Sequence, residues 1–346
     1  MNKHIGIYPI VGVTPGYLDE PFDPSQLPAE ILPGVTVENT EALFKPDAFD
    51  TWKGWLSKRE FEALHRVRFG IVNRYDPFES ATGSSSETDR DAEAVVRYLA
   101  ACLRLIRPML QEASYIRGSL LPDSTVQIQG FENPEDMQVL SIQKLFLLRN
   151  RDVERLKRVG PLFVDMMKAQ KSWKVIVAAE LHESSQFVWR SWKARFSLLA
   201  SAIEAIFTSQ NRNHQGSLVA SERIKWFLGA KTPIYEPGDI QSTQQQMTTT
   251  VEDVLADFYE LRNCVAHGDR VPARFFQPAR FDFDQTVVLA EMLTEAASRI
   301  VRASLLQILE RGLLGHFSDS STSETFFGAQ NLTRPALRKN RGLSHK

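Results

Sequence analysis

The chain has 346 residues, enough for two domains, and its hydrophobic fraction of 43% and charged fraction of 24% are ordinary for a globular protein. A formal net charge of −1 excludes a general polyanion binder, which carries a large basic excess, so any contact with RNA has to rest on a local basic site. Cys102 and Cys264 lie in apolar helical patterns and give no disulfide framework, and no apolar run approaches ~18 residues, so the reading is a cytoplasmic protein without a membrane span.

In chain order, the first ~45 residues are rich in proline and glycine. Pro9 and Pro15 interrupt the apolar N-terminus before it can form a signal-peptide core. Short β-branched runs at 6–11 and 35–37 predict strands or edge segments between turns. A helix is expected over 49–66, with Trp52, Trp55, Leu56, Phe61 and Leu64 on its apolar side, then a strand at 69–72. After the Gly83–Ser86 loop, Thr88 or Asp89 is placed to cap a helix carrying Val95, Val96, Leu99, Leu103, Ile106 and Leu110, stopped near Pro108. Residues 125–129 alternate with period two and predict a strand. From about Glu135 the pattern is helical: 139–148, 153–167 with a kink or break at Gly160-Pro161, 173–181, and a long helix from Val188 through Phe207. Ser217 is placed to cap the next helix, which stops at Gly229. A polar loop of about twenty residues follows, of a length that is often functional. A final helix is expected over 284–314, and the chain beyond Phe317, polar and then basic, reads as a tail without fixed structure. The expected organisation is a mixed α/β region over 1–170, a helical domain over 171–316 and a tail over 317–346, a mainly α protein.

Most of the chemistry is concentrated in Leu261-Arg262-Asn263-Cys264-Val265-Ala266-His267-Gly268-Asp269. Val254, Leu255, Phe258, Leu261 and Val265 recur at intervals of three and four, the mark of a core-facing stripe on a helix. Gly268 stands where a left-handed C-cap ends such a helix. An arginine, an amide and an imidazole therefore share its last two turns. Asn263 and His267 are four apart and share a face. Arg262 and His267 are five apart, about 140° around the helix, so one chain presents them together only if the helix end unwinds at Gly268.

The Arg-Asn-x-x-x-His-Gly run resembles the signature of HEPN domains, small helical bundles, and its surroundings resemble the ApeA-like branch. The features that carry the likeness are Glu204 before Ala205-Ile206-Phe207, Arg223 before Ile224, Tyr259 just ahead of the signature, and Arg299 or Arg302 in the closing helix. The resemblance covers roughly 185–315 and none of the first ~170 residues. It implies a HEPN-type bundle and a metal-independent endoribonuclease with no cofactor, acting on RNA, tRNA being one candidate, through a site formed where two copies meet in a homodimer. It also implies a toxin or antiviral effector; the N-terminal region, which carries no chemical motif and takes no part in the resemblance, is expected to sense a trigger or restrain the nuclease. Arg262, Asn263 and His267 are the implied catalytic residues, with Glu204 and Arg223 in supporting or substrate-binding places. The same resemblance allows a catalytically silent module used for binding or regulation.

Each residue also has a plainer reading. His267 can pair with the last carbonyls of its helix. Arg262 can bridge to Glu260 or Asp257 on a solvated face. Glu204, in an apolar run, needs a cation, and Arg223 and Arg262 are both candidates. Glu180, His182 and Glu183 splay around a helix and read as exposed surface. His214 reads as solvated, and the six tryptophans read as core. The histidines and cysteines give no zinc spacing, and there is neither a Walker A sequence nor a Rossmann glycine pattern.

Overall fold

β1 (His4–Ile10) runs through the middle of the N-terminal unit. A computed structural model describes residues 3–10, 23–65, 68–76, 86–107, 115–132, 148–187, 191–208, 216–234, 249–282 and 285–330. The chain divides into two compact units, Met1–Gln170 and Lys171–Lys346. Among the described residues the fold is mainly helical, with one six-stranded antiparallel sheet.

In the first unit, β2 (Ala29–Leu32), β3 (Val35–Asn39), β4 (Phe69–Tyr75), β1, β5 (Tyr115–Leu120) and β6 (Val126–Glu132) neighbour one another in the order β2-β3-β4-β1-β5-β6. β1 is thus central rather than an edge segment. It tolerates Pro9 because β5 pairs only with His4–Ile7, so the proline lies past the last rung on that side. On one face Ile5, Ile7, Val72 and Ile116 bury against Leu43, Phe49 and Leu64. On the other, Gly6 leaves room for the Tyr115 ring, whose hydroxyl lies only 1.9 Å from where a Cβ would stand.

The helix expected over 49–66 is instead a 3₁₀ turn (Asp50–Trp52) and a short α1 (Lys58–Leu64). Ser57 starts α1 by accepting the Glu60 N–H at 3.2 Å, and Trp55 is 83% exposed. α2 runs Ser86–Ile106, so residues 88 and 89 lie inside it rather than capping it. α2 packs on β1 and β4, where Asn73 donates to the Ala92 carbonyl at 3.1 Å, and on α3 (Asn150–Ala169) through the Arg107–Asp152 ion pair at 3.0 Å. α3 passes unbroken through Gly160-Pro161. Pro161 gives up one rung, but buried Leu156, Val159, Phe163 and Val164 hold the helix on both sides. A Cβ at Gly160 would meet Leu99 at 2.9 Å and Ile31 at 3.2 Å, so the glycine permits close approach. The helix expected over 139–148 falls almost wholly outside the described residues.

The second unit is helical: α4 (Trp173–Phe187), α5 (Trp192–Phe207), α6 (Gly216–Ile224), α7 (Val251–His267), α8 (Leu289–Glu310) and α9 (Ser320–Gly328). α6 continues into a π-helical turn, Lys225–Gly229, which Gly229 ends at φ +90°; Ser217 lies inside α6 rather than capping it. α4 packs on α5, and α4, α5 and α7 all pack on α8. The last long helix is shorter than expected, because β7 (Pro278–Asp282) and β8 (Gln285–Val288) form a hairpin ahead of it. Residues 320–328, expected to be tail, form α9. Asp319 caps it by accepting the Thr322 N–H at 2.9 Å, and Phe327 is fully buried. The tryptophans are not uniformly core: Trp55, Trp173 and Trp226 are exposed. No described helix is long and apolar enough to cross a membrane.

Candidate functional site

α7 begins at Thr250, whose N–H and hydroxyl both donate to Asp253, at 2.9 and 2.6 Å. Its buried stripe is Val251, Val254, Leu255, Phe258, Tyr259 and Leu261, while Val265, expected to continue it, is only half-buried. Phe258 meets Phe196 of α5 with ring centroids 5.2 Å apart, which sets the two helices side by side. Gly268 adopts φ 72°, and its N–H reaches the Cys264 carbonyl, so the helix ends in a left-handed C-cap.

This packing brings Glu204 of α5 to Arg262 of α7. The carboxylate accepts from Arg262 Nε at 2.7 Å and from Nη2 at 3.1 Å, a two-point pair in which each side chain keeps 28% exposure. Asn263 Oδ1 accepts from Arg262 Nη1 at 3.3 Å. Glu260 and Asp257, the alternative partners for Arg262, are taken by Arg274 at 2.7 and 2.8 Å. Tyr259, one turn before Arg262, is buried, and its hydroxyl has no hydrogen-bond partner among the described residues. Burial first and the Glu204 charge second push its phenol above the ordinary value, with Arg262 opposing.

His267 stands at the last helical position, exposed, as is Asn263. The helix does not unwind before Gly268, so Arg262 and His267 remain about 140° apart around the axis and about 7.5 Å apart along it. Arg262, Asn263 and Glu204 are together; His267 shares a face with Asn263 but diverges from Arg262.

Arg223 is not part of this group. Its side chain is 1% exposed, with Nη1 donating to the Phe207 carbonyl at 3.0 Å and Nη2 to Glu324 of α9 at 2.8 Å. Its guanidinium carbon lies 4.6 Å from the centroid of the Phe327 ring. Arg299 pairs with Glu295 of its own helix at 3.1 Å. His182, expected at the surface, is buried, with Nε2 3.2 Å from Ser298 Oγ, because α4 turns that side onto α8. Among the described residues no three His, Cys, Asp or Glu side chains converge as metal ligands would. His214 lies outside the described residues.

No family model, curated protein or solved structure matches this chain. The site therefore has to be read from its own geometry. Glu324 is the residue that sequence reasoning missed. Its pairing with Arg223 spans 101 positions, and the helix that carries it reads as polar tail.

Proposed function

We propose that the chain is a metal-independent endoribonuclease of HEPN type, acting as a homodimer. The observation that carries this reading is an arginine held by two points to Glu204 and touched by Asn263, at the same helix end as an exposed imidazole. A guanidinium has five N–H groups, and three of those on Arg262 are engaged in these contacts. Among the described residues the other two have no partner and are left for a phosphate, in an orientation that Glu204 sets. The exposed amide of Asn263, its oxygen turned to Arg262, keeps its N–H groups for a phosphate oxygen.

In this reading His267 takes the proton from a ribose 2′-OH as that oxygen attacks the adjacent phosphorus, or returns a proton to the leaving 5′-oxygen. Imidazole is the side chain that changes protonation closest to neutral pH, which suits both tasks. Arg262 stabilises the charge that builds on the phosphate. The products are a 2′,3′-cyclic phosphate and a 5′-OH end, and DNA is not cut. Because Arg262 and His267 of one chain diverge, two copies meeting across a two-fold at the ends of α7 complete the site, the imidazole of one beside the guanidinium of the other. A toxin or antiviral role, with Met1–Gln170 as the regulating unit, goes with this proposal.

A second reading, a silent binding module, is favoured by the commitment of Arg262 to Glu204, which partly neutralises the cation a phosphate would meet. Cleavage of total RNA and tRNA in EDTA, with wild type beside His267→Ala, separates the two. Loss of cutting in the variant and cyclic phosphate ends from wild type establish the nuclease. Cutting that survives the substitution refutes the assignment of His267, and RNA bound but uncut by both favours the silent module.

A further inference from the structure

The last turn of α5 carries Glu204 and ends at Phe207, where the carbonyls of a helix lack intrahelical partners. Two cations from other helices cover them. Arg223 donates to the Phe207 carbonyl at 3.0 Å and Lys174, at the start of α4, to the Thr208 carbonyl at 2.5 Å. Thr208 closes the turn from within: its N–H and its hydroxyl both reach the Glu204 carbonyl, at 2.9 and 2.6 Å. Lys174 is 8% exposed and Arg223 1%. Burying two like charges side by side is costly unless anions offset them. The offset comes from α9 and its cap: Glu324 is paired with Arg223, and Glu324 and Asp319 both act favourably on Lys174.

We propose that Lys174, Arg223 and Glu324 are positioning residues for the candidate site. They hold the α5 C-terminus helical, so that the Glu204 carboxylate stays against Arg262. A helix end deprived of donors frays within its last turn, and Glu204 lies in that turn. α9 thereby becomes a structural requirement of a site it does not touch. The activity arm of this inference rests on the nuclease reading; the contact between Glu204 and Arg262 does not.

The test is a double-mutant cycle of Glu204→Gln and Arg262→Gln, read by urea unfolding of the full chain, run in the wild-type background and again with Glu324→Gln. The coupling between the two residues is expected to fall by more than half once Glu324 is neutralised. A coupling that is unchanged overturns the proposal, since general loss of stability cancels within a cycle. If Glu324→Gln does not fold, Lys174→Met serves as the background; it removes the donor to Thr208 and keeps the volume, and the same two outcomes decide. In RNA cleavage, Glu324→Gln is expected to lower kcat about tenfold with KM unchanged, and Glu324→Asp to restore part of it. If wild type cuts no RNA, the outcome given by either a restrained nuclease or a silent module, the cycle alone decides the positioning role.

Discussion

Truncation of Phe327 to alanine tests whether α9 belongs to the fold of the second unit. Phe327 is fully buried, with ring centroids 5.2 Å from Phe326 and 6.0 Å from both Phe207 and Phe317. Removing a buried phenylalanine ring costs about 3–5 kcal/mol in transfer and cavity terms. The Arg223 guanidinium over that ring, 4.6 Å away, adds about 1–2 kcal/mol when desolvated. A total of about 4–7 kcal/mol is a large share of the ~5–15 kcal/mol that holds a domain together. Urea unfolding followed by tryptophan fluorescence is the assay, with Trp226, 6.3 Å from the Phe327 ring, as a local reporter. At a slope of about 2 kcal/mol per molar urea, the midpoint of the second unit should fall by about 2 M or more. A loss below about 1 kcal/mol would refute the reasoning: α9 would then be peeling away at little cost, and Glu324 could not be holding Arg223.

Two further expectations concern the ends of the helices that carry the site. Gly268→Ala meets open space, so its cost is the left-handed backbone alone, about 1 kcal/mol in urea unfolding, and Gly268→Asn should recover part of it. Lys174 has its pKa lowered from 10.5 to about 8, by burial first and by Arg223 second. Between about pH 8 and 10.5 the unfolded chain therefore holds a proton that the folded chain has lost, and stability rises with pH by at most about 3 kcal/mol. Below about pH 8 the lysine contributes no slope. Lys174→Met should abolish the rise between pH 8 and 10.5; a variant that keeps it would refute the assignment to Lys174.

Local signals were legible wherever neighbours in the chain decide the structure. The apolar spacing from Val254 to Leu261 and the glycine at 268 marked α7 and its C-cap, because both follow from the helical period and from the one residue type that takes φ 72° without strain. Alternation and β-branching marked β1, β3, β4 and β6, since a strand buried on one or both faces writes itself into composition. Glu204, alone in an apolar run, declared that it needs a cation.

Which cation it takes was decided only by tertiary structure. Arg223 and Arg262 were equal candidates from the sequence, and the choice fell to Arg262 because Phe196 and Phe258 lay α7 along α5, while α9 draws Arg223 to Glu324. α9 itself was read as tail because its polar residues outnumber Phe326 and Phe327. A nine-residue helix is too short to be stable alone and forms here on an aromatic core supplied by distant segments. The sequence by itself determined the apolar stripe and left-handed C-cap of α7 and the strands β1, β3, β4 and β6, as these depend on contacts within a turn or two or on alternation along one strand. The pairing of charges, the burial of His182 and the exposure of Trp226 depend on which faces meet, and that is a property of packing between elements far apart in the chain.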